Sequence, residues 1–388
     1  MQTPASNPLA IKEISATELA MALEAGEDIQ LLDVRAPFRL ASGGQIDLGT
    51  PERFFNRAGS EVMALNDPAE TGLDSAYPVV TICGHGNASR PVTAWLQQRG
   101  YSARSLAGGM SAWMDVLLPR TLEAPSGFDH LVQFDRVGKG ALGYLLISNG
   151  EALVVDPPRD FGAYEFRVAE LGARIVGVAD THVHADYISG APVLAAKYGV
   201  PYYLHAGDST YAFDGTPGKL NYTPVDEGSE IKVGNGVVRI AHTPGHTEGS
   251  VTLLAGDVAL TGDFIFVSSV GRPDLADKTD EWSAQLFESL SRAKSKWPAE
   301  TRIAPAHYSG NDERNADRSI WGHFRELRSS NEPLAIDDAA QFSSWVTARL
   351  VPAPLSYRRI KGINVGLIAV GDDEARELEG GKNECAVK

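Results

Sequence analysis

Four histidines and two aspartates stand where short apolar runs give way to loops containing Gly, Thr or Pro. His182, His184 and Asp186 alternate in THVHADYISG, His246 lies in HTPGHTEGS, Asp263 in TGDFIF and His307 in PAHYSG. Groups at several strand ends can converge on one face of a sheet. Buried there without a partner they would be costly, and a metal ion is the natural partner for imidazole and carboxylate together. A second chemistry belongs to Cys83, which ends the run VVTIC and opens the loop CGHGNASR ahead of a helix that Pro91 can begin. Loop amides and the helix N-terminus would aim donors at the sulfur and favour a thiolate. Ser89 and Arg90 would sit in the first helical turn, beside the sulfur or an anionic substrate.

Two blocks of alternating strand and helix patterns must position these groups. The first opens with the amphipathic helix SATELAMALEAG, closed by Gly26. The buried strand IQLLDVR, the strand YPVVTIC, the helix PVTAWLQQRG and the strand YSARSLA follow. Short apolar runs separated by helices predict a parallel sheet with flanking helices, an α/β domain. Residues 116–130 (VLLPRTLEAPSGFDH) read as a linker. The second block begins with HLVQFDR, ALGYLLIS and EALVVDPP, the last two joined by an Asn-Gly turn. The helix AYEFRVAELG and the strand ARIVGVADTH come next, then a helix and strand within 191–205. SEIKVG, VVRIAHT, SVTLLAG and VALTGDFIF read as strands, and the helix TDEWSAQLFESLSRAK precedes the strand TRIAPAH. Strands early and late with helices between predict two stacked sheets with helices outside, an αββα arrangement. The tail carries one helix pattern, AAQFSSWVTARL, and a polar, acidic end. The expected organisation is therefore residues 1–119, residues 120–350 and an extension over residues 351–388.

The chain has 388 residues, with 35 Lys and Arg against 50 Asp and Glu, a formal charge of −15. No basic face is available to displace counterions from phosphates, which argues against nucleic acid as a partner. Only Cys83 and Cys385 are present, so a disulfide-built scaffold is excluded and free thiols are expected. The N-terminal residues lack the pattern of a signal peptide, and runs such as YLLI and VGLIAV are too short to span a bilayer. The expectation is a soluble cytoplasmic protein with no membrane partner.

Three segments of the first block, LLDVRAPFRL, CGHGNAS and LAGGMSAW, resemble the rhodanese family of sulfurtransferases in order and spacing. The resemblance covers roughly residues 11–118. It implies that Cys83 accepts a sulfane sulfur from a donor as a persulfide and passes it to a thiol. Ala88 stands where the family loop usually carries a basic residue, and Arg90 follows two positions later.

The second block, over roughly residues 127–330, resembles the metallo-β-lactamase superfamily. The family loop reads His-x-His-x-Asp-His, and Tyr187 occupies its last position here. A phenol is a poor substitute for the imidazole that helps to hold a second metal. THVHADYISG, HTPGHTEGSV, TGDFIFV and VGRPDL are similar to the persulfide dioxygenase branch. That resemblance implies His182, His246 and Asp263 as ligands of one Fe2+ per chain, with Zn2+ as the alternative. Two imidazoles and one carboxylate are the donor set of non-haem Fe(II) oxygenases. His184, Asp186, Tyr187 and His307 would then surround and orient the ligands, and Arg272 would contact the substrate's carboxylate. A small-molecule persulfide or thiol and a sulfane-sulfur donor are the implied partners, and a homodimer is what the family suggests. The rival readings are a zinc-dependent thioester hydrolase of the glyoxalase II kind and a sulfur-relay protein with a silent metal domain. His85, His130, His205, His242 and His323 read as ordinary packing or surface residues. Cys385 stays open between an incidental thiol and one on a tail that carries sulfur or closes over a site.

Overall fold

The computed structural model describes residues 11–49 and 51–387. The chain divides into two compact units. One comprises Met1–Leu117 with Arg136–Lys139 and Gly380–Lys382, the other Leu118–Asp135, Gly140–Glu379 and Asn383–Lys388.

The first unit is built on a five-stranded sheet in the spatial order Glu13–Ile14, Ala103–Leu106, Val79–Ile82, Gln30–Asp33, Phe54–Asn56. Every pairing in it is parallel. The helix Ala16–Glu24 starts where Ser15 and Glu18 cap each other's backbone amides and stops before Gly26, whose φ of 78° suits only glycine well. The helix Arg90–Gln98 turns Val92, Thr93, Trp95 and Leu96 inward, onto a core with Leu32, Val79 and Ala103. Cys83 follows Val79–Ile82 directly and so leaves the sheet beside that helix's first turn.

In the second unit two sheets face each other. The seven-stranded sheet runs Thr223–Val225, Tyr202–His205, Arg174–Ala179, Glu151–Val155, Ala141–Ser148, His130–Arg136, Leu117–Leu122. Glu230–Val233, Gly236–His242, Val251–Ala255, Val258–Gly262, Arg302–Pro305 and Gly322–His323 make the six-stranded sheet. Leu131, Leu142, Leu146, Leu153 and Val155 of one sheet meet Val233, Val238, Ile240, Leu253 and Leu260 of the other in one core. The helix Ala191–Tyr198 lies on the first sheet. Thr279–Lys296, Phe324–Ser330 and Ala339–Arg349 share a second core with Phe264, Ile265 and Ile303 behind the other sheet. The Asn-Gly turn forms as expected: Asn149 and Gly150 have φ of 48° and 72°, and Ser148 pairs with Glu151.

The linker expected over 116–130 is corrected. Its first half is the edge strand Leu117–Leu122, which buries Leu118 and Leu122. Pro119 obscured the pattern, but an edge strand tolerates a residue that cannot donate to the ladder. The polar tail is corrected as well, since Ser356–Asn364 and Asp372–Leu378 are helical. The last residues run along the loop at 270, where Gly271 bridges Ala386 and Val387 N donates to Val270 O at 3.0 Å.

A buried metal-type centre and a separate thiol site

His182 and His184 lie in the loop after Arg174–Ala179, His246 in the loop after Gly236–His242, Asp263 one residue past Val258–Gly262, and His307 two past Arg302–Pro305. Strands of both sheets thus deliver their groups at one edge of the sandwich. His182 Nε2 is 3.6 Å from Asp263 Oδ2, and His246 Nε2 is 3.2 Å from the same oxygen. These three atoms are buried, and none has a hydrogen-bond partner. Leaving three such atoms unsatisfied side by side is expensive in a protein interior.

The remaining ring nitrogens are fixed. His246 Nδ1 donates to the carbonyl of Arg272 at 2.9 Å, so its proton is there and the Nε2 lone pair faces Asp263. Thr181 Oγ1 donates to Asp156 Oδ2 at 2.9 Å, which leaves its own lone pair for the proton on His182 Nδ1, 3.0 Å away. Burial holds His246 down to about 4 against the pull of Asp263. Burial, then the neighbouring His184, His246 and His307, hold His182 well below its ordinary value. For Asp263 burial works upward, but His307 and His246 outweigh it and keep the carboxyl below its usual range. Two neutral imidazoles and one carboxylate, with lone pairs converging, fit a divalent first-row metal ion.

The structure gives different duties to the surrounding groups. His307 Nδ1 donates to Asp263 Oδ1 at 2.6 Å and its Nε2 is 3.1 Å from Asp186 Oδ2. Burial opposes its charge, yet Asp186 and Asp263 together push it up to about 9. His184 turns Nε2 to Asp156 Oδ1 at 3.1 Å rather than toward Asp263, and Asp156 with Asp180 overcomes burial to raise it well above its ordinary value. The Tyr187 hydroxyl lies 2.9 Å from the same nitrogen, with its ring stacked on His184 at 4.3 Å.

Several positioning residues have no sequence signal of their own. Asp208 accepts from Val183 N at 2.6 Å, Thr247 Oγ1 at 2.8 Å and Gly249 N at 2.8 Å, and so staples the His182 loop to the His246 loop. Asp156 holds Thr181 and His184 from a backbone with φ of 51°, a conformation rare outside glycine that only dense local bonding sustains. Asn364 donates to the carbonyls of His184 and Tyr187, at 2.8 Å each, from the C-terminal segment. Lys361, from the same helix, is buried nearby, and burial lowers it.

Two of the expected binding residues are engaged by partners within the chain. Arg272 is 1% exposed, and its guanidinium binds both carboxylate oxygens of Asp274 together with the carbonyls of Val351 and Glu384. These bonds make it a clamp on the C-terminal segment. Arg90 makes an exposed ion pair with Glu13 at 3.0 Å. Ser89, by contrast, is fully buried and donates to Cys83 Sγ at 3.2 Å, while its hydroxyl also meets that of Ser105 at 2.9 Å. Among the described residues this hydroxyl, rather than the loop amides, supplies the sulfur's hydrogen bond. The loop closes on Gly108 and Gly109, where a Cβ on Gly109 would strike the carbonyl of Cys83.

Comparison with known proteins agrees with this division. Residues 15–115 match the rhodanese-like domain, and residues 138–307 match the metallo-beta-lactamase superfamily. An uncharacterized protein of Aquifex aeolicus is 30% identical over 173 residues, 41% of this chain and 80% of that protein. A hydroxyacylglutathione hydrolase of Xylella fastidiosa is 29% identical over 163 residues, 42% of this chain and 57% of that protein. Among solved structures, a metallo-beta-lactamase from Staphylococcus aureus is 29% identical with a TM-score of 0.55, covering 62% of this chain and 74% of that one. ETHE1 from Myxococcus xanthus shares the fold at 24% identity, with a TM-score of 0.51 over 64% of this chain and 99% of that one. The chain is a rhodanese-like domain followed by a domain that belongs to the metallo-β-lactamase superfamily.

Proposed function

We propose that the second domain is a persulfide dioxygenase holding one Fe2+ between His182, His246 and Asp263, and that the first domain handles sulfane sulfur on Cys83. The observation that carries this reading is the set of three buried, unpartnered ligand atoms on two imidazoles and one carboxylate. That donor set is the one non-haem iron oxygenases use. Held by His182, His246 and Asp263, iron would supply the activation of dioxygen toward a persulfide sulfur. The overall change is R–S–SH with dioxygen and water to R–SH, sulfite and two protons.

The chain's own residues do the rest. Thr181 and the carbonyl of Arg272 hold the two imidazoles in the tautomer that presents Nε2. Asp263 divides its oxygens, Oδ2 toward the histidines and Oδ1 to His307, so its orientation is fixed. His307 keeps a proton between two carboxylates. The Tyr187 hydroxyl, 2.9 Å from His184 Nε2 and donating to the carbonyl of Asp156, is engaged within the protein, which supports a single catalytic ion instead of a pair of zinc ions. In the first domain the sulfane sulfur bonds to Cys83 Sγ as it leaves its donor, and then leaves Sγ for an acceptor thiol. Ser89 is placed to stabilise the sulfur anion at both stages.

A zinc-dependent thioester hydrolase is the second reading, favoured by the likeness to a hydroxyacylglutathione hydrolase. Metal analysis of purified protein with oxygen uptake on glutathione persulfide separates the two. About one iron per chain with uptake supports the dioxygenase, and two zinc ions with thioester cleavage support the hydrolase.

A further inference from the structure

Lys361 is a buried cation without a counterion. The helix Ser356–Asn364 carries Tyr357, Lys361 and Asn364 on one face, at i, i+4 and i+7. Tyr357 Oη accepts from Glu384 N at 2.7 Å, and Asn364 donates to the carbonyls of His184 and Tyr187 at 2.8 Å each, so that face is turned to the loop that carries His182. Arg358 and Arg359 of the same helix are exposed and pair with Asp277 and Glu374. Lys361 is 2% exposed, and among the described residues it has no hydrogen bond and no ion pair. The centre of the Trp282 ring is 5.6 Å from its Nζ, a cation–π contact that offers no oxygen to the ammonium's N–H donors. Trp282 itself packs with Ala185, Tyr357 and Cys385 in an apolar cluster. By contrast, the buried guanidiniums of Arg136, Arg272 and Arg302 each reach a carboxylate within 3.0 Å.

We propose that Lys361 is an anion-binding residue of the neighbouring centre, and that its anion is the reacting sulfur of the persulfide and then the sulfite formed from it. The choice of anion rests on the dioxygenase reading, whereas the uncompensated ammonium does not. A buried charge without a partner is costly, and lysine is almost never fully buried unless paired, so a bound anion is the missing counter-charge. The ammonium stands close to the centre, because its charge acts on His182, His246 and Asp263 alike. Burial lowers it, and Asp208, Cys385, Asp263 and Asp274 offset that only in part. The same burial selects which end of a substrate arrives there. Distal charged groups of a thiol carrier can stay in water, but the reacting end has to enter the centre. Oxidation of that end to sulfite gathers negative charge on the sulfur's oxygens, and a fixed ammonium beside it stabilises the charge as it develops.

The test uses the full-length chain carrying Cys83→Ser, so that sulfite has no persulfide on Cys83 to attack. Loaded with Fe2+ without oxygen, it is titrated with sodium sulfite by calorimetry at constant ionic strength. Adding Lys361→Met, which keeps an unbranched chain and removes the charge, should weaken sulfite binding by more than about tenfold. In metal-free protein without sulfite the same substitution should leave the melting temperature equal or higher, because it removes a charge that nothing in the fold compensates. Sulfite bound equally well by the methionine variant, or not at all by the Cys83→Ser chain, would overturn the proposal. So would a methionine variant that melts lower or does not fold, since the ammonium would then be satisfied within the protein. Oxygen uptake on glutathione persulfide is measured alongside with the native chain. No uptake together with sulfite binding that depends on Lys361 sinks the dioxygenase reading alone, and uptake without that dependence sinks this proposal alone.

Discussion

Thr181→Val removes one hydroxyl from a fully buried relay and changes little else in shape. In the native chain Thr181 Oγ1 donates to Asp156 Oδ2 at 2.9 Å and takes the proton of His182 Nδ1 at 3.0 Å. Valine leaves that N–H without an acceptor and deprives Asp156 of one donor, while Thr181 N to Asp156 Oδ1 at 2.7 Å survives. Thr181 is 1% exposed, so water cannot easily replace the hydroxyl. Losing the group that orients a ligating imidazole costs about 10- to 100-fold in metal affinity, or about 1.4–2.8 kcal/mol. The unsatisfied buried groups should also lower unfolding stability of the metal-free protein by about 1–3 kcal/mol. Affinity is read by competition against a chelator of known strength, with Thr181→Ser as the control that restores the hydroxyl. Affinity unchanged in the valine variant, or lost equally in the serine variant, would refute the relay.

His246→Ala should abolish iron binding and oxygen uptake while sulfur transfer by the first domain continues; simultaneous loss of both activities would contradict two separate sites. Cys83→Ser should end sulfur transfer and spare the oxidation of added persulfide, as measured with a sulfane donor and an oxygen electrode. In metal-free protein His307 is raised to about 9, so the stability it contributes is full below about 6.5 and lost as pH rises toward 9. His246, lowered to about 4, acts in the opposite sense and costs stability as pH falls from about 6.5 to 4. Melting temperatures of the stripped protein should therefore peak between these windows, and a flat profile from pH 6.5 to 9 would count against the His307 bridge. Arg272→Ala should destabilise by on the order of 3 kcal/mol without rescue by Arg272→Lys, because an ammonium cannot grip both oxygens of Asp274. A lysine variant as stable as the native chain would return Arg272 to a less demanding role.

The sequence made legible those parts of the site whose position follows from local pattern. A strand that runs out into a loop places its last polar residue at the sheet edge, and His182, His246, Asp263 and His307 are all found that way. Cys83 and Ser89 follow from a strand, a Gly-rich loop and a helix in immediate succession. What stayed hidden depends on contacts between distant positions. Asn364 reaches His184 across 180 residues, and Cys385 reaches Asp186 from near the end of the chain. No periodicity announces either contact, and the segment reads in the sequence as a polar, acidic end. The bonds of Arg272 were hidden for the same reason, because its partners Glu384 and Val351 come from that segment. Leu117–Leu122 was missed because Pro119 breaks the strand pattern at an edge where it does no harm.

Oxygen consumption on glutathione persulfide, by protein whose iron content has been assayed, tests the central claim most directly. Rapid uptake with sulfite formed in proportion to iron, at about one iron per chain, is the expected result. No uptake by protein loaded with iron at His182, His246 and Asp263 would contradict it.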